Sequence, residues 1–160
     1  QGLIRPPKPG EEGENLSEPL ATYARESGLS MKRPALTPYT RYALEATEYA
    51  QEQGCFDVFH HAMYRALWEN GENIGDLSII LGIAEKCGLR SSELSERLET
   101  GYYTPIINQQ FQQAQTIGIR GIPSFLVNDS LLFSGAQPYE VFKNVLERAL
   151  NGMANDRTSL

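Results

Sequence analysis

Apolar residues recur every three or four positions along most of the chain, a spacing that is typical of amphipathic helices. Capping residues, prolines and glycines divide this pattern into seven segments. The predicted helices begin near Leu16, Pro38, Phe56, Asp76, Ser91, Thr104 and Gln137. The pattern therefore predicts a mostly helical chain, with Ser17 as the cap of the first helix and Pro38 at the first position of the second.

Each of these helices has an apolar face that we expect to point toward the interior, including the last two. In the sixth helix the stripe consists of Ile107, Phe111, Ala114 and Ile117. In the seventh helix the inward residues are Tyr139, Phe142, Val145, Leu146 and Ala149. The polar residues from Gly152 onward are expected to fray.

A β-hairpin interrupts the helical pattern after Gly118. Residues 123–127 and 131–134 are predicted as two short strands joined by a turn at Asn128-Asp129. Two strands alone do not make a stable sheet. Leu3-Ile4 is a candidate for the end of a further strand. The other partner strands either precede this chain in the natural protein or come from a second copy.

The composition indicates a soluble globular domain and narrows the choice of partners. Of the 160 residues, 41% are hydrophobic and 21% are charged. The net charge is −6 and no cluster of Lys and Arg occurs, which argues against a nucleic-acid partner. No apolar run is long enough to span a membrane, and no signal peptide is visible. The first two residues, Gln1-Gly2, resemble those left behind when a purification tag is cleaved. We therefore leave open whether the natural N-terminus lies at Gln1 or further upstream.

Few residues suggest chemistry by their spacing alone. Cys55 and Cys87 do not form a C-x-x-C, and we interpret them as free thiols, while a disulfide between them stays open at the level of sequence. His60 and His61 are neighbours on a helix and point about 100° apart, so they do not chelate one metal ion together. We expect no metal site and no cofactor.

The segment GIRGIPSFLVN, residues 118–128, poses a narrower question. Pro123 cannot donate a hydrogen bond to a sheet, so it belongs at the first position of a strand or at a sheet edge. Gly121 leaves the chain room just before it. Pro123 therefore either only marks the start of the strand, or the Ile122–Pro123 bond is part of a functional site.

Residues 118–150, GIRGIPSFLVNDSLLFSGAQPYEVFKNVLERAL, resemble the C-terminal part of the DsbA-like branch of the thioredoxin superfamily, in particular the FrnE-like dithiol oxidoreductases. The segments TPYTRYALEATEYAQEQG, FHHAMYRALWENGENIGD and LGIAEKCGL resemble successive helices of that group's helical insertion. The resemblance implies an α/β thioredoxin-like fold with a helical insertion, whose first β-α-β unit is missing or supplied elsewhere. The expected divisions are a connector with the end of a strand at 1–15, the helical insertion at 16–103, the C-terminal half of the thioredoxin-like domain at 104–152 and a tail at 153–160.

The same resemblance implies a role for the proline. In the family, a cis bond precedes this proline, the loop faces a redox dithiol, and the backbone before the proline pairs with an extended substrate. Ile122, Pro123 and Gly121 are therefore the expected substrate-binding residues. The family's C-x-x-C lies on the first β-α unit, which this chain does not contain, so no catalytic residue is assigned. Leu44 stands where the group often has a histidine, which argues against a histidine-assisted variant.

The resemblance predicts a fragment of a cytoplasmic DsbA-family protein disulfide oxidoreductase that acts on a protein or small thiol substrate. No dithiol activity is expected from this chain alone, so whether it is an enzyme by itself stays open. One alternative is the glutathione-transferase-kappa and 2-hydroxychromene-2-carboxylate isomerase branch, which shares the architecture, although Ser134-Gly135-Ala136-Gln137 favours the oxidoreductases. The other alternative is a non-enzymatic thioredoxin-like interaction module that completes its sheet as a homodimer.

Overall fold

Helices joined by short loops make up most of the structure, a computed structural model that describes residues 3–4, 15–127 and 130–157. In chain order the elements are β1 (Leu3–Ile4), α1 (Leu20–Glu26), β2 (Leu36–Thr37), α2 (Arg41–Glu52), α3 (Phe56–Trp68), α4 (Leu77–Lys86), α5 (Ser91–Glu99), α6 (Thr104–Ile117), β3 (Ser124–Val127), β4 (Ser130–Ser134) and α7 (Tyr139–Arg157). They belong to two compact units, Gln1–Ile107 and Asn108–Leu160.

The described strands form two separate two-stranded antiparallel sheets. In the first sheet, Leu3 of β1 lies opposite Thr37 of β2. In the second sheet, β3 pairs with β4 as the predicted hairpin. The segment Leu3–Ile4 is thus a strand, but the expectation that it extends the hairpin is wrong. Within the described residues the hairpin has no third strand.

The first helix begins later than the periodic pattern predicts. Its N-cap position is occupied by Pro19 instead of Ser17, and the helix starts at Leu20. A proline disfavours helical backbone in the residue before it, so a helix that runs through Glu18 is disfavoured. Leu16 is nevertheless buried, outside the helix. The apolar spacing therefore identified a buried residue but not the start of the helix.

The second helix also begins later than predicted. Thr37 pairs with β1 as part of β2, and α2 starts only at Arg41. Pro38 therefore follows a strand and does not open a helix. The pairing with Leu3, which lies far away in the sequence, overrides the local signal of a threonine before a proline.

The fourth helix begins where the sequence predicts. Asp76 is its N-cap, and the carboxylate accepts hydrogen bonds from the Ser78 N–H at 2.8 Å and from the Ser78 hydroxyl at 2.7 Å. These two hydrogen bonds, the one from the hydroxyl first, lower the pKa of the Asp76 carboxyl because they favour its charged form.

The core of the unit Gln1–Ile107 lies between α2, α3, α4 and α5. Three small residues of α2, Ala43, Ala46 and Ala50, are buried in it. The largest fully buried apolar and aromatic side chains are Tyr49, Tyr103, Phe59, Ile80 and Leu94. Small side chains on α2 leave room for Phe59 on α3, Ile80 on α4 and Leu94 on α5, so α2 lies at the centre of the packing.

Among the described residues of this unit, one carboxylate is buried. Glu45 on α2 is 1% exposed, and its Oε1 accepts hydrogen bonds of 2.8 Å from Arg41 Nε and from Thr104 Oγ1. A buried charge is costly unless it is paired, so the Arg41 guanidinium stabilises the carboxylate. The bond from Thr104 also joins the first residue of α6 to α2.

A second polar cluster surrounds the Tyr103 hydroxyl. This hydroxyl donates to Glu52 Oε2 at 2.8 Å and accepts a hydrogen bond of 2.7 Å from Arg97 Nη1. Arg97 also donates to Glu93 at 2.7 Å. Burial, followed by the hydrogen bond to Glu52, raises the pKa of Tyr103, because the phenolate would form away from water and beside a carboxylate.

Three phenylalanines connect the hairpin to the last helix in the unit Asn108–Leu160. The ring centres of Phe125 on β3 and Phe133 on β4 lie 4.8 Å apart, and those of Phe125 and Phe142 on α7 lie 5.1 Å apart. The register changes between Phe125 and Leu126, next to this contact. All three phenylalanines are half-buried, so the described part of this unit has a looser core than Gln1–Ile107.

Three expectations for the helices of this unit are wrong. No residue of α6 is buried, and within its predicted inward stripe Phe111 is 64% exposed and Ile117 42% exposed. Tyr139 at the start of α7 is also exposed. Apolar periodicity identifies a face of a helix but not what covers it. The last helix continues to Arg157, beyond Gly152, where fraying was expected.

No helix in the described part of the chain, α7 included, has both the length and the apolar character needed to cross a membrane.

Candidate functional site

The loop between α6 and β3 exposes an apolar residue next to a proline. The Ile122–Pro123 peptide bond is cis in the structure. The Ile122 side chain is 92% exposed, more than any other large hydrophobic residue in the described ranges. Gly121 is exposed as well, and a Cβ placed there would meet no atom within 4 Å. The three residues predicted to bind substrate therefore lie together at the surface.

The end of β4 and the first residue of β3 fix this loop by hydrogen bonds. The Gly135 N–H donates to the Pro123 carbonyl at 2.7 Å. The Ser124 hydroxyl donates to the Gly121 carbonyl at 2.6 Å and lies 2.8 Å from the Ser134 hydroxyl. Gly135 has a φ of 90°, a region that favours glycine. Ser124, Ser134 and Gly135 were not among the predicted site residues. Their signal in the sequence is the joint occurrence of G-I-P-S and S-G-A-Q.

The backbone of Ile122 is available for pairing. No hydrogen bond between described residues uses its N–H or its carbonyl, whereas the carbonyls of Gly121 and Pro123 on either side are both engaged. Pairing with β4 begins only at Ser124. An unpaired backbone segment that continues a strand is able to bind an extended peptide as an added strand. The loop therefore offers such a peptide one donor and one acceptor from a fixed position.

An open cavity of about 620 Å³ adjoins the loop within the unit Asn108–Leu160. The residues that line it include Phe111, Ala114 and Gln115 of α6 and Gly118, Arg120 and Ile122 of the loop. Its volume lies in the range of about 300–1,000 Å³ that is common for ligand sites. Because most of these residues are apolar or small, the cavity is suited to an apolar group of a bound ligand.

A single cation lies at this cavity. Among the described residues, Arg120 is the only charged one that lines it, and it makes no ion pair with another of them. It is also the only charged residue in the sequence between Glu99 and Asp129. No neighbouring carboxylate along the chain therefore offsets its charge.

The two cysteines are free thiols, and both are half-buried against the core of the unit Gln1–Ile107. Burial, followed by the proximity of the Cys55 thiol, raises the pKa of Cys87. A raised pKa lowers the fraction of thiolate, which is the nucleophilic form. Among the described residues, no three His, Cys, Asp or Glu side chains are grouped so that they would hold a metal ion.

Comparison with known proteins identifies the family. Residues 5–147 match the family model of the DSBA-like thioredoxin domain. The chain therefore belongs to the DSBA-like thioredoxin domain family, and the predicted α/β thioredoxin-like fold with a helical insertion is confirmed. A relative is the Bacillus subtilis (strain 168) protein named "Uncharacterized protein YwbO", which is 25% identical over 157 residues. That match covers 91% of this chain and 76% of the relative.

Proposed function

We propose that this chain is the substrate-binding part of a DsbA-type thiol–disulfide oxidoreductase. The loop of Gly121, Ile122 and Pro123 holds an extended stretch of a protein substrate, or a small thiol substrate, beside a redox dithiol. One observation carries the proposal: Ile122 is exposed and its backbone is unpaired among the described residues, while hydrogen bonds from Ser124 and Gly135 fix the loop around it.

Strand addition favours a backbone that is both unpaired and already ordered. The Ile122 N–H and carbonyl would pair with the backbone of the substrate, and the substrate's side chains would alternate between the loop and solvent. Because the loop is fixed before binding, less conformational entropy is lost when the substrate binds. Backbone pairing of this kind accepts many sequences, as an enzyme acting on varied protein substrates requires.

Disulfide exchange needs two thiols that are suited to it. In the reducing direction, a thiolate attacks one sulfur of the substrate disulfide and the other substrate sulfur leaves as a thiolate. A resolving thiol then displaces the bound sulfur, so that the substrate is reduced and the dithiol becomes a disulfide. Cys55 and Cys87 do not form a C-x-x-C, and the raised pKa of Cys87 disfavours its thiolate. The proposal therefore assigns the dithiol to a C-x-x-C outside these 160 residues.

A cytoplasmic site of action is part of the proposal. It is supported by the two free, widely spaced cysteines, since structural disulfides are typical of oxidising compartments. The resemblance to a cytosolic group of dithiol oxidoreductases supports the same location.

The coding sequence upstream of Gln1, together with an insulin-reduction assay, tests the proposed function. A C-x-x-C in the same reading frame supports it, and the longer protein is then expected to reduce insulin. A lone serine in place of that motif would favour the glutathione-transferase-kappa type instead. Turnover of insulin by the 160-residue chain alone would contradict the assignment of the dithiol.

Ile122→Ser in the longer protein tests the role of the loop. Ile122 is 92% exposed, so the substitution leaves the folded structure intact and removes apolar contact with the substrate. A loss of about 1.4 kcal/mol of contact energy lowers kcat/KM for insulin roughly tenfold. Val58→Ser is the matched control, because Val58 is also exposed but lies on α3 in the other unit. Equal rates for the two variants would contradict the proposed site.

A further inference from the structure

We propose that this site selects extended polypeptide segments in which a large apolar residue is separated from an Asp or Glu by one residue, so that both side chains lie on the same side of the segment. The apolar side chain occupies the cavity beside Ile122, and the carboxylate binds the Arg120 guanidinium. This inference rests on the proposed function, because the same loop must hold the backbone of the polypeptide.

The cavity has the surface that an apolar side chain covers well. Phe111 is 64% exposed on α6, and Ala114 beside it is half-buried. Gly118 and Gly121 add no side chain, and a Cβ at either position would meet no atom within 4 Å. A large apolar side chain in this space removes the faces of Phe111 and Ile122 from water, which favours binding.

The charge distribution around the cavity favours an acidic residue on the same side of the bound substrate as the apolar side chain. Residues 108–117, which precede the loop in α6, include five glutamines and no charged residue. From Asn108 to the end of the chain, four basic and four acidic residues balance, so the net charge of −6 arises in the first 107 residues. An arginine that makes no ion pair with a described residue, at the rim of an apolar cavity, favours a carboxylate, which it can bind through two parallel hydrogen bonds.

A polypeptide is able to contact the Ile122 backbone, the apolar cavity and Arg120 within three consecutive residues. Its backbone pairs with Ile122, one side chain fills the cavity, and the side chain two positions away, on the same face of the extended segment, carries the carboxylate. Glutathione carries carboxylates but has no large apolar side chain for the surface between Phe111 and Ile122. The combination therefore favours a polypeptide over a small thiol as the preferred substrate of this site.

Three matched peptides test the selection on the full 160-residue chain. Each is an acetylated and amidated hexapeptide, Gly-Thr-Leu-Val-X-Gly, in which X is Glu, Gln or Lys and lies on the same face as Leu when the peptide is extended. Dissociation constants are measured at low salt by NMR titration of the 15N-labelled chain. The Glu peptide is expected to bind about two- to fivefold more tightly than the Gln peptide, as for a solvent-accessible ion pair. This preference should shrink at high salt.

Variants of Arg120 separate its charge from its other effects. Arg120→Gln is expected to abolish the preference for Glu over Gln, and Arg120→Glu to reverse it in favour of the Lys peptide. Ala114→Phe fills the cavity and is expected to weaken all three peptides. Gln113→Phe is its control, because Gln113 lines a different groove of α6.

The outcomes distinguish this inference from the proposed function. If the three peptides bind equally while the amide signals of Ile122 and Gly121 shift, the selection is refuted and the proposed loop stands. If no peptide binds, both are refuted. If oxidised glutathione binds with the same dependence on Arg120 and on Ala114→Phe, the choice of a polypeptide is refuted.

Discussion

Removing the Ser124 hydroxyl is expected to loosen the loop of Gly121, Ile122 and Pro123 without unfolding the protein. This hydroxyl donates to the Gly121 carbonyl at 2.6 Å and lies 2.8 Å from the Ser134 hydroxyl. Ser124→Ala removes both contacts. Because the site is close to solvent, water replaces part of what is lost. The net loss is about 1 kcal/mol, the usual contribution of one hydrogen bond.

The loss is expected to appear as local opening of the loop. A change of about 1 kcal/mol raises an opening equilibrium constant about fivefold. The amide hydrogen of Gly135 reports this opening, because it donates to the Pro123 carbonyl at 2.7 Å. Native-state hydrogen exchange at this amide should therefore accelerate about fivefold in Ser124→Ala, while exchange in the core of the other unit stays unchanged.

Thr116→Ala is the matched control for this experiment. The Thr116 hydroxyl also donates to a backbone carbonyl, that of Gln112 at 2.9 Å, but this contact lies within α6. Its removal should leave the exchange of the Gly135 amide as in the wild-type chain. An unchanged rate in Ser124→Ala, or an equal acceleration in both variants, would refute the role given to the Ser124 hydroxyl.

Three further predictions concern the unit Gln1–Ile107. Gly75→Ala should destabilise it by about 1–3 kcal/mol, because the added Cβ would lie 2.8 Å from the Tyr39 carbonyl oxygen. Gly82→Ala within α4, where a Cβ meets nothing within 4 Å, should stabilise the unit by about 0.5–1 kcal/mol. Urea unfolding measures the free energy of unfolding of both variants. Changes of the same sign in the two variants would contradict this packing. The raised pKa of Tyr103 contributes stability that is complete below the ordinary tyrosine pKa of about 10 and is lost as the pH rises through the raised value. Between about pH 9 and about pH 12, the free energy of unfolding should therefore fall less in Tyr103→Phe than in the wild-type chain. An equal dependence of the free energy of unfolding on pH in both proteins would contradict this role of Tyr103.

Helices whose ends carry local signals were predictable from the sequence. As predicted, α4 begins next to Asp76 and α3 begins at Phe56, whereas α5 begins at Ser91, slightly before its predicted start after Ser91-Ser92. Gly71 and Gly88 follow α3 and α4 with positive φ, as helix-ending glycines commonly do. These signals act within one or two turns of the chain, so a single sequence contains them.

Features that depend on distant residues were not predictable in this way. Glu45 lies on the alanine-rich face of α2, and no local pattern indicates that Arg41 and Thr104 will satisfy its carboxylate. The displaced start of α2 depends on the pairing of Thr37 with Leu3. In both cases the decisive partner is supplied by the tertiary structure.

For the candidate site, the sequence predicted which residues form the loop but not the hydrogen bonds that hold the loop in place. The resemblance to the family made Ile122 and Pro123 the candidate residues. The bonds from Ser134 and Gly135 reach the loop across the hairpin, in a register that includes an irregularity between the two strands. The sequence alone does not indicate a role for Arg120, because a single arginine is not a motif. Its candidate role depends on the cavity that it lines in the structure.

The central claim is that the backbone of Ile122 binds an extended peptide. Its most direct test is hydrogen exchange of the Ile122 amide, measured by NMR on the 15N-labelled chain with and without a saturating uncharged peptide such as Gly-Thr-Leu-Val-Gln-Gly, acetylated and amidated. The account predicts that the peptide slows exchange of this amide and shifts the signals of Gly121 and Ser124. An Ile122 amide that exchanges equally fast in the bound state, or shifts confined to the unit Gln1–Ile107, would contradict it.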